Sequence, residues 1–288
     1  MQPPIPAPYR TRLYAHPQVP LLLARRVTTP DGAQLATYVY GPEGADVEDL
    51  LARMPVLALH GNGGSHATFS QVMVPLVAAG KAVVAFDGRA QGRSTRGSEP
   101  LTYERFAADA ICVLDTLGID KVHVLGHSDG GIEALLLARD HADRVRSIVA
   151  GGANLTPEGV IDEWDTAGSV RGARDWAEWV QEGKLSDRVD ADLLPTAKEV
   201  LLDAELLQLM LDEPHIEAAS LATISCPTCV LVGEHDCIER SETEAIANAI
   251  AGARLVTVPD MGHSLPRKAP DSVAAQVLIN IILSEQDN

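Results

Sequence analysis

Basic side chains are scarce in this 288-residue sequence: 23 lysines and arginines stand against 40 aspartates and glutamates, a formal net charge of −17. A surface of that sign repels polyphosphate and anionic lipid, which argues against nucleic acid or a membrane surface as a main partner. No apolar run approaches the roughly 20 residues that a membrane-spanning helix needs. Cysteine is nearly absent, with only Cys112, Cys226, Cys229 and Cys237. The opening MQPPIPAPYR lacks the basic-then-apolar pattern of a signal peptide, so a reducing cytoplasm is the expected location. Internal repeats and low-complexity tracts are missing too.

What is present is the composition of a folded enzyme-sized body, 46% hydrophobic with both charge signs spread along the chain. The first 20 residues are proline-rich and read as an irregular arm. Leu21 to Thr28 and Ala33 to Tyr40 flank Pro30-Asp31-Gly32, a hairpin signal. Short apolar runs then alternate with helical periodicity. Val56 to Leu59, Ala82 to Phe86, Val122 to Leu125, Ser147 to Ala150, Thr228 to Val232 and Arg254 to Val258 read as buried parallel strands. Ala67 to Ala79, Tyr103 to Leu117, Gly131 to Asp140, Ser241 to Ala251 and Pro270 to Leu283 read as the helices between them. The expected architecture is an α/β doubly wound, mostly parallel central sheet flanked by helices.

One stretch breaks the rhythm. Asn154 to about Leu221 has no strand-like run and carries all three tryptophans, Trp164, Trp176 and Trp179. Its helices are expected over Glu158 to Thr166, Val170 to Glu182 and Thr196 to Leu211. The reading is a core of residues 1–153 and 222–288 with a helical lid of residues 154–221 inserted after the sixth strand.

The chemistry concentrates at strand ends. Val122-His123-Val124-Leu125 runs into Gly126-His127-Ser128-Asp129-Gly130-Gly131 and then a helix, the strand–turn–helix context that GxSxG requires. Ser128 is the expected nucleophile. A hydroxyl needs a base and an orienting acid. Asp236, just past the strand ending Val230-Leu231-Val232, and His263, after the last strand, supply them, with Glu234 and Asp260 as competing carboxylates. His127 and His235 are read as supporting or structural. The oxyanion should be met by the backbone N–H of Asp129 and one from Leu59-His60-Gly61-Asn62-Gly63-Gly64, with Asn62 the first choice and Gly63 the second. Gly61, Gly63, Asp129 and Trp164 are the candidate substrate contacts.

Other signals weigh less. Cys226-Pro227-Thr228-Cys229 with His235 and Cys237 invites a zinc reading. Cys226 and Cys229 open a buried strand whose alternate side chains face opposite ways, however, and no second CxxC follows. They read as small core residues, and neither metal nor organic cofactor is expected. Arg89, Arg93 and Arg96 read as ion-paired or solvated.

Taken together, the serine elbow, the HGNGG loop, Asp87-Gly88-Arg89-Ala90-Gln91-Gly92-Arg93-Ser94 and Gly262-His263-Ser264 resemble the α/β-hydrolase superfamily, over residues 21 to 285 outside the lid. Dehalogenases and epoxide hydrolases of that superfamily usually carry aspartate at the nucleophile position, where this chain has Ser128. Ser128-Asp129-Gly130-Gly131-Ile132 and Gly152-Ala153-Asn154 are similar to the valacyclovir hydrolase, or biphenyl hydrolase-like, family. There the acidic residue after the nucleophile is associated with a substrate's α-amino group, a position that Asp129 matches. The expected activity is that of a serine hydrolase cleaving carboxylic esters through an acyl-enzyme, a carboxylesterase without cofactor whose partner is a small-molecule ester. Cleavage of α-amino acid esters, of a carbon–carbon bond beside a carbonyl, and a hydrolase-fold receptor are the alternatives.

Overall fold

The structure, a computed structural model, describes residues 17–184 and 195–286. The expected proline-rich arm lies outside them as far as residue 16. Eight strands form one sheet: β1 (Leu21–Thr28), β2 (Gln34–Tyr40), β3 (Val56–Leu59), β4 (Val83–Phe86), β5 (Val122–His127), β6 (Val145–Gly151), β7 (Thr228–His235) and β8 (Arg254–Gly262). Their spatial order is β1-β2-β4-β3-β5-β6-β7-β8. The hairpin strand β2 is antiparallel to both β1 and β4, and every later pairing is parallel.

The inner strands are apolar at nearly every position because both sheet faces are covered. Leu57, Leu59 and Val124 face one layer with Phe106, Ala110 and Leu114 of α3 (Tyr103–Leu117) and most of α4 (Asp129–Asp140). Val56, Ala58 and Leu125 face the other, against Val72, Met73 and Leu76 of α2 (Ser70–Ala78) and Val273, Val277 and Ile281 of α9 (Pro270–Gln286). Alternate strand residues serve opposite layers, as the period of two demands. Helix α3 illustrates the local code: Thr102 caps it by accepting from Arg105 N–H, and Gly118 ends it in the left-handed conformation at φ 68°. The remaining helices are α1 (Val47–Leu51), α5 (Thr166–Gln181), α6 (Ala197–Asp212), α7 (Arg240–Ala249) and α8 (Leu265–Lys268). Helices α1 and α8 had no counterpart in the sequence reading.

Between β6 and β7 the described elements are helical, but the helix expected over Glu158 to Thr166 is not formed. Only Pro157–Gly159 makes a 3-10 turn, and Val160 instead bridges Ile238. The Ile161 N–H donates to the Cys237 carbonyl at 2.7 Å; a tertiary strand contact has won over local helical spacing. Trp176, fully buried, centres a small cluster with Val170, Ala173, Val200 and Ala204 of α5 and α6. Leu206 and Leu209 of α6 continue into the main core layer, so α6 roots the pair on the sheet domain. Among the described residues no helix is long and apolar enough to cross a membrane.

Candidate active site

In an open parallel sheet, ligands bind beyond the strand carboxyl ends where the winding reverses. Here that point lies between β3 and β5, which places the loop after β3 against the start of α4. Ser128 joins β5 to α4 with φ 57° and ψ −122°, a conformation costly for any side-chain-bearing residue. The flanking glycines make it feasible. A Cβ at Gly126 would lie 1.8 Å from the Gly130 carbonyl oxygen, and one at Gly130 would lie 2.0 Å from that of Leu59. Backbone meets backbone at both places and nothing flexible can yield. Gly130→Ala is expected to destabilise the fold by about 1–3 kcal/mol or more; an unchanged Tm would contradict this packing.

Ser128, His263 and Asp236 come together in one hydrogen-bonded chain. The Ser128 Oγ is 2.9 Å from His263 Nε2, and His263 Nδ1 is 2.7 Å from Asp236 Oδ1. Asp236 also accepts from the N–H groups of Ile238 and Gly233. Burial alone would raise the Asp236 carboxyl, but the His263 bond, its charge and the two amides hold it below the usual range. For His263, burial opposes the cation, yet the hydrogen bond to Asp236 and the adjacent Cys237 carry its pKa above the ordinary value.

The competing carboxylates do not reach the imidazole. Glu234 is exposed and accepts from the Asp260 N–H at 2.9 Å, and Asp260 is exposed as well. His235 is likewise exposed. His127 is buried, held neutral by burial with its pKa pushed down to about 4, and its Nε2–H donates to the His263 carbonyl at 2.6 Å. It braces the segment that carries His263.

On the opposite side of the serine, a Cβ at Gly61 would lie 2.6 Å from Ser128 Cβ, so only glycine admits this approach. The Gly61 carbonyl accepts from His60 Nδ1–H at 2.8 Å and from Gly64 N–H at 3.0 Å. Across a trans peptide C=O and N–H point opposite ways, so fixing the Gly61 oxygen fixes the direction of the Asn62 N–H. Asp129 opens α4, and its N–H is one that the helix leaves unused. Gly63 turns the loop at φ 61°.

The side chain of Asp129 is buried beside the nucleophile. Its carboxylate accepts from Asn62 Nδ2 at 3.2 Å and is hydrogen-bonded by the Tyr103 hydroxyl. Burial, only partly offset by these donors, pushes its pKa up to about 6. Asn62 Nδ2 also donates to the Leu206 carbonyl of α6 at 2.9 Å, tying the inserted helices to this loop. Trp164 is not brought to the group: it is 66% exposed, in the non-helical segment before α5.

Two of the three arginines are ion-paired, as the sequence suggested. Arg89 is buried between Asp31 and Asp109, and Arg96 pairs with Glu205. Cys226 and Cys229 lie near the start of β7 and Cys237 past its end, about 25 Å along an eight-residue strand, so these three cannot share one ion.

Sequence reasoning missed several contributors. Gly152, at φ 58°, is one: a Cβ there would lie 2.8 Å from His263 Cε1. His60, whose Nε2 accepts from Gly88 N–H at 2.8 Å, Tyr103 and Cys237 are the others. His60 in the glycine-rich loop, Gly152 in Gly152-Ala153-Asn154 and Cys237 in the cysteine pattern were visible in the sequence, but none had been given a part in this site.

Comparison with known proteins adds sequence kinship. The family described as the α/β hydrolase fold matches residues 54–171. Serine hydrolase BPHL of Mus musculus is 28% identical over 92% of this chain and 94% of its own length. Rhodomycin D methylesterase DnrP of Streptomyces peucetius is 26% identical over 78% and 90%. Among solved structures, a thermophilic esterase from Thermogutta terrifontis superposes with TM-score 0.67 at 24% identity, covering 91% of this chain and 99% of that one.

Proposed function

We propose, from the premise that this chain belongs to the α/β-hydrolase superfamily, that it is a serine esterase working through an acyl-enzyme. The observation that carries the reading is the relay from Ser128 Oγ through His263 to Asp236. Ser128 attacks the ester carbonyl while His263 Nε2 takes its proton, and Asp236 holds the imidazole in the Nδ1–H tautomer. The amides of Asn62 and Asp129 receive the oxyanion. Collapse breaks the acyl–oxygen bond, and His263 returns the proton to the departing alcohol. Water then repeats the attack and frees the acid. Residues 154–221 act as a lid, with α6 rooted over the site through Leu206. A panel of short and long acyl esters tests this: turnover that saturates and depends on Ser128 supports the reading, and a folded enzyme inert to every ester refutes it.

A second reading has its own observation. Asp129 is a buried carboxylate next to the reacting carbonyl, bonded by neutral groups rather than by a cation, which suits an ester bearing an α-ammonium. One charge-assisted hydrogen bond predicts a gain of roughly 10–100-fold in kcat/KM for the α-amino ester over its des-amino partner. The gain should vanish in Asp129→Asn. It should also fade as pH falls through about 6, where Asp129 takes up its proton. Equal rates for the two esters in wild type would leave the plain esterase standing alone.

A further inference from the structure

Cys237 follows the proposed catalytic acid and lies against His263, but passes no proton in the relay. It is buried, 8% exposed. Its sulfur, a carboxylate oxygen of Asp236 and a ring nitrogen of His263 lie within 4.8 Å of one another. One thiol, one imidazole and one carboxylate are three of the four ligands of a tetrahedral zinc-type centre, and this set gathers soft and borderline donors.

We propose that Asp236, Cys237 and His263 form a binding site for a thiophilic divalent cation of the zinc class, and that its occupancy reversibly switches the hydrolase off.

The geometry asks for little. Bond lengths to zinc place tetrahedral ligands about 3.3–3.6 Å apart, whereas His263 Nδ1 and Asp236 Oδ1 are 2.7 Å apart. The cation would take the place of the proton between them and spread the pair by less than about 1 Å. Binding expels the thiol proton and moves the imidazole proton from Nδ1 to Nε2; with His263 neutral, Asp236 and Cys237 each at −1 and the ion at +2, the occupied centre is neutral. The fourth position goes to water. With its Nδ1 on the cation, His263 loses the carboxylate partner that makes it a base.

Asp236 also lines a cavity of about 220 Å³ together with Glu234, Glu239 and Glu244; among the described residues the one basic side chain on its wall is Arg240, itself paired to Glu244 at 2.6 Å. A second donor group, Glu234, His235 and Asp260, also converges within 4.8 Å, but it is exposed and has no sulfur. A thiophilic ion therefore favours Cys237.

The binding half stands on geometry alone, and the inhibition half rests on the esterase reading, so two readouts are needed. Co²⁺ titration of the full-length protein should raise the near-ultraviolet thiolate-to-cobalt charge-transfer band in wild type and in His235→Ala. The band should be lost in Cys237→Ser and Cys237→Ala. Zn²⁺ should inhibit ester turnover and a chelator should restore it. The half-inhibiting concentration, with each variant referred to its own metal-free rate, should rise at least tenfold in the Cys237 variants, about the loss caused by removing even a ligand's outer partner. Mg²⁺ at the same concentrations should do nothing. A band that survives in both Cys237 variants or fails to form in wild type overturns the site. So does inhibition that follows His235, that Mg²⁺ reproduces, or that a chelator cannot reverse. Because the cobalt band needs no substrate, failure of the esterase reading would leave the site testable by itself.

Discussion

Ser128→Ala is expected to lower ester turnover by roughly a millionfold, the scale on which serine-triad enzymes lose kcat when the nucleophile is removed. Labelling by a fluorophosphonate should disappear with it. The fold should persist, because the substitution removes only a hydroxyl whose polar contact is His263 Nε2. Turnover undiminished in the variant would refute the assignment outright. The backbone offers a companion test. At φ 57° and ψ −122°, Ser128 sits where only glycine is at ease, so Ser128→Gly should be equally inactive yet more stable than Ser128→Ala by about 1 kcal/mol. A lower Tm for the glycine variant would show that the elbow stores no strain.

Asp236→Asn is the second large effect, a loss of about 10⁴ in kcat with little change in KM. An amide at this position accepts through one atom and donates through the other, so it no longer selects the Nδ1–H tautomer of His263. The pH profile carries the diagnostic. The base is neutral imidazole, so activity rises with pH as His263 loses its proton, and the neighbouring carboxylate raises that pKa. Removing the charge should move the rising limb to lower pH while its height collapses.

Stability follows the same linkage. With the folded pKa of His263 raised, its contribution is complete below the ordinary value of 6.5 and is lost as pH rises through the folded value. Asp236 is depressed, so its contribution is present above the ordinary 3.8 and is lost as pH falls through the folded value. Between those limits wild type should exceed Asp236→Asn in Tm, and the gap should close at both extremes. Thermal melts across pH check this; a gap constant with pH would mean that the pair is not electrostatically coupled.

Elements built on local periodicity could be read along the chain. The buried strands and the helices packed on them announced themselves because a period of 2 or 3.6 is a property of ten neighbouring residues. The Gly126-Ser128-Gly130 elbow was legible for a similar reason, since its steric demand is satisfied within five residues and between two recognisable elements. The order of Ser128, Asp236 and His263, each just beyond a strand, could be written down without coordinates. Helix boundaries failed where a distant partner intervened, as at Val160, whose bridge to Ile238 replaces an expected turn of helix.

Tertiary structure alone decided the rest. That Asp236 rather than Glu234 or Asp260 meets the imidazole depends on how β7 and β8 end relative to each other, across 27 residues of chain. The hydrogen bonds of Asn62 to Asp129 and to Leu206, 67 and 144 residues away, set the wall of the site, and Cys237 is chemically interesting only because His263 lies against it. Sequence determined which segments bury an apolar face and where a nucleophile could be exposed. Sheet order and the closing of loops determined which side chains share a pocket, because contact between remote residues is fixed by the burial of whole elements and leaves no periodic trace in the chain.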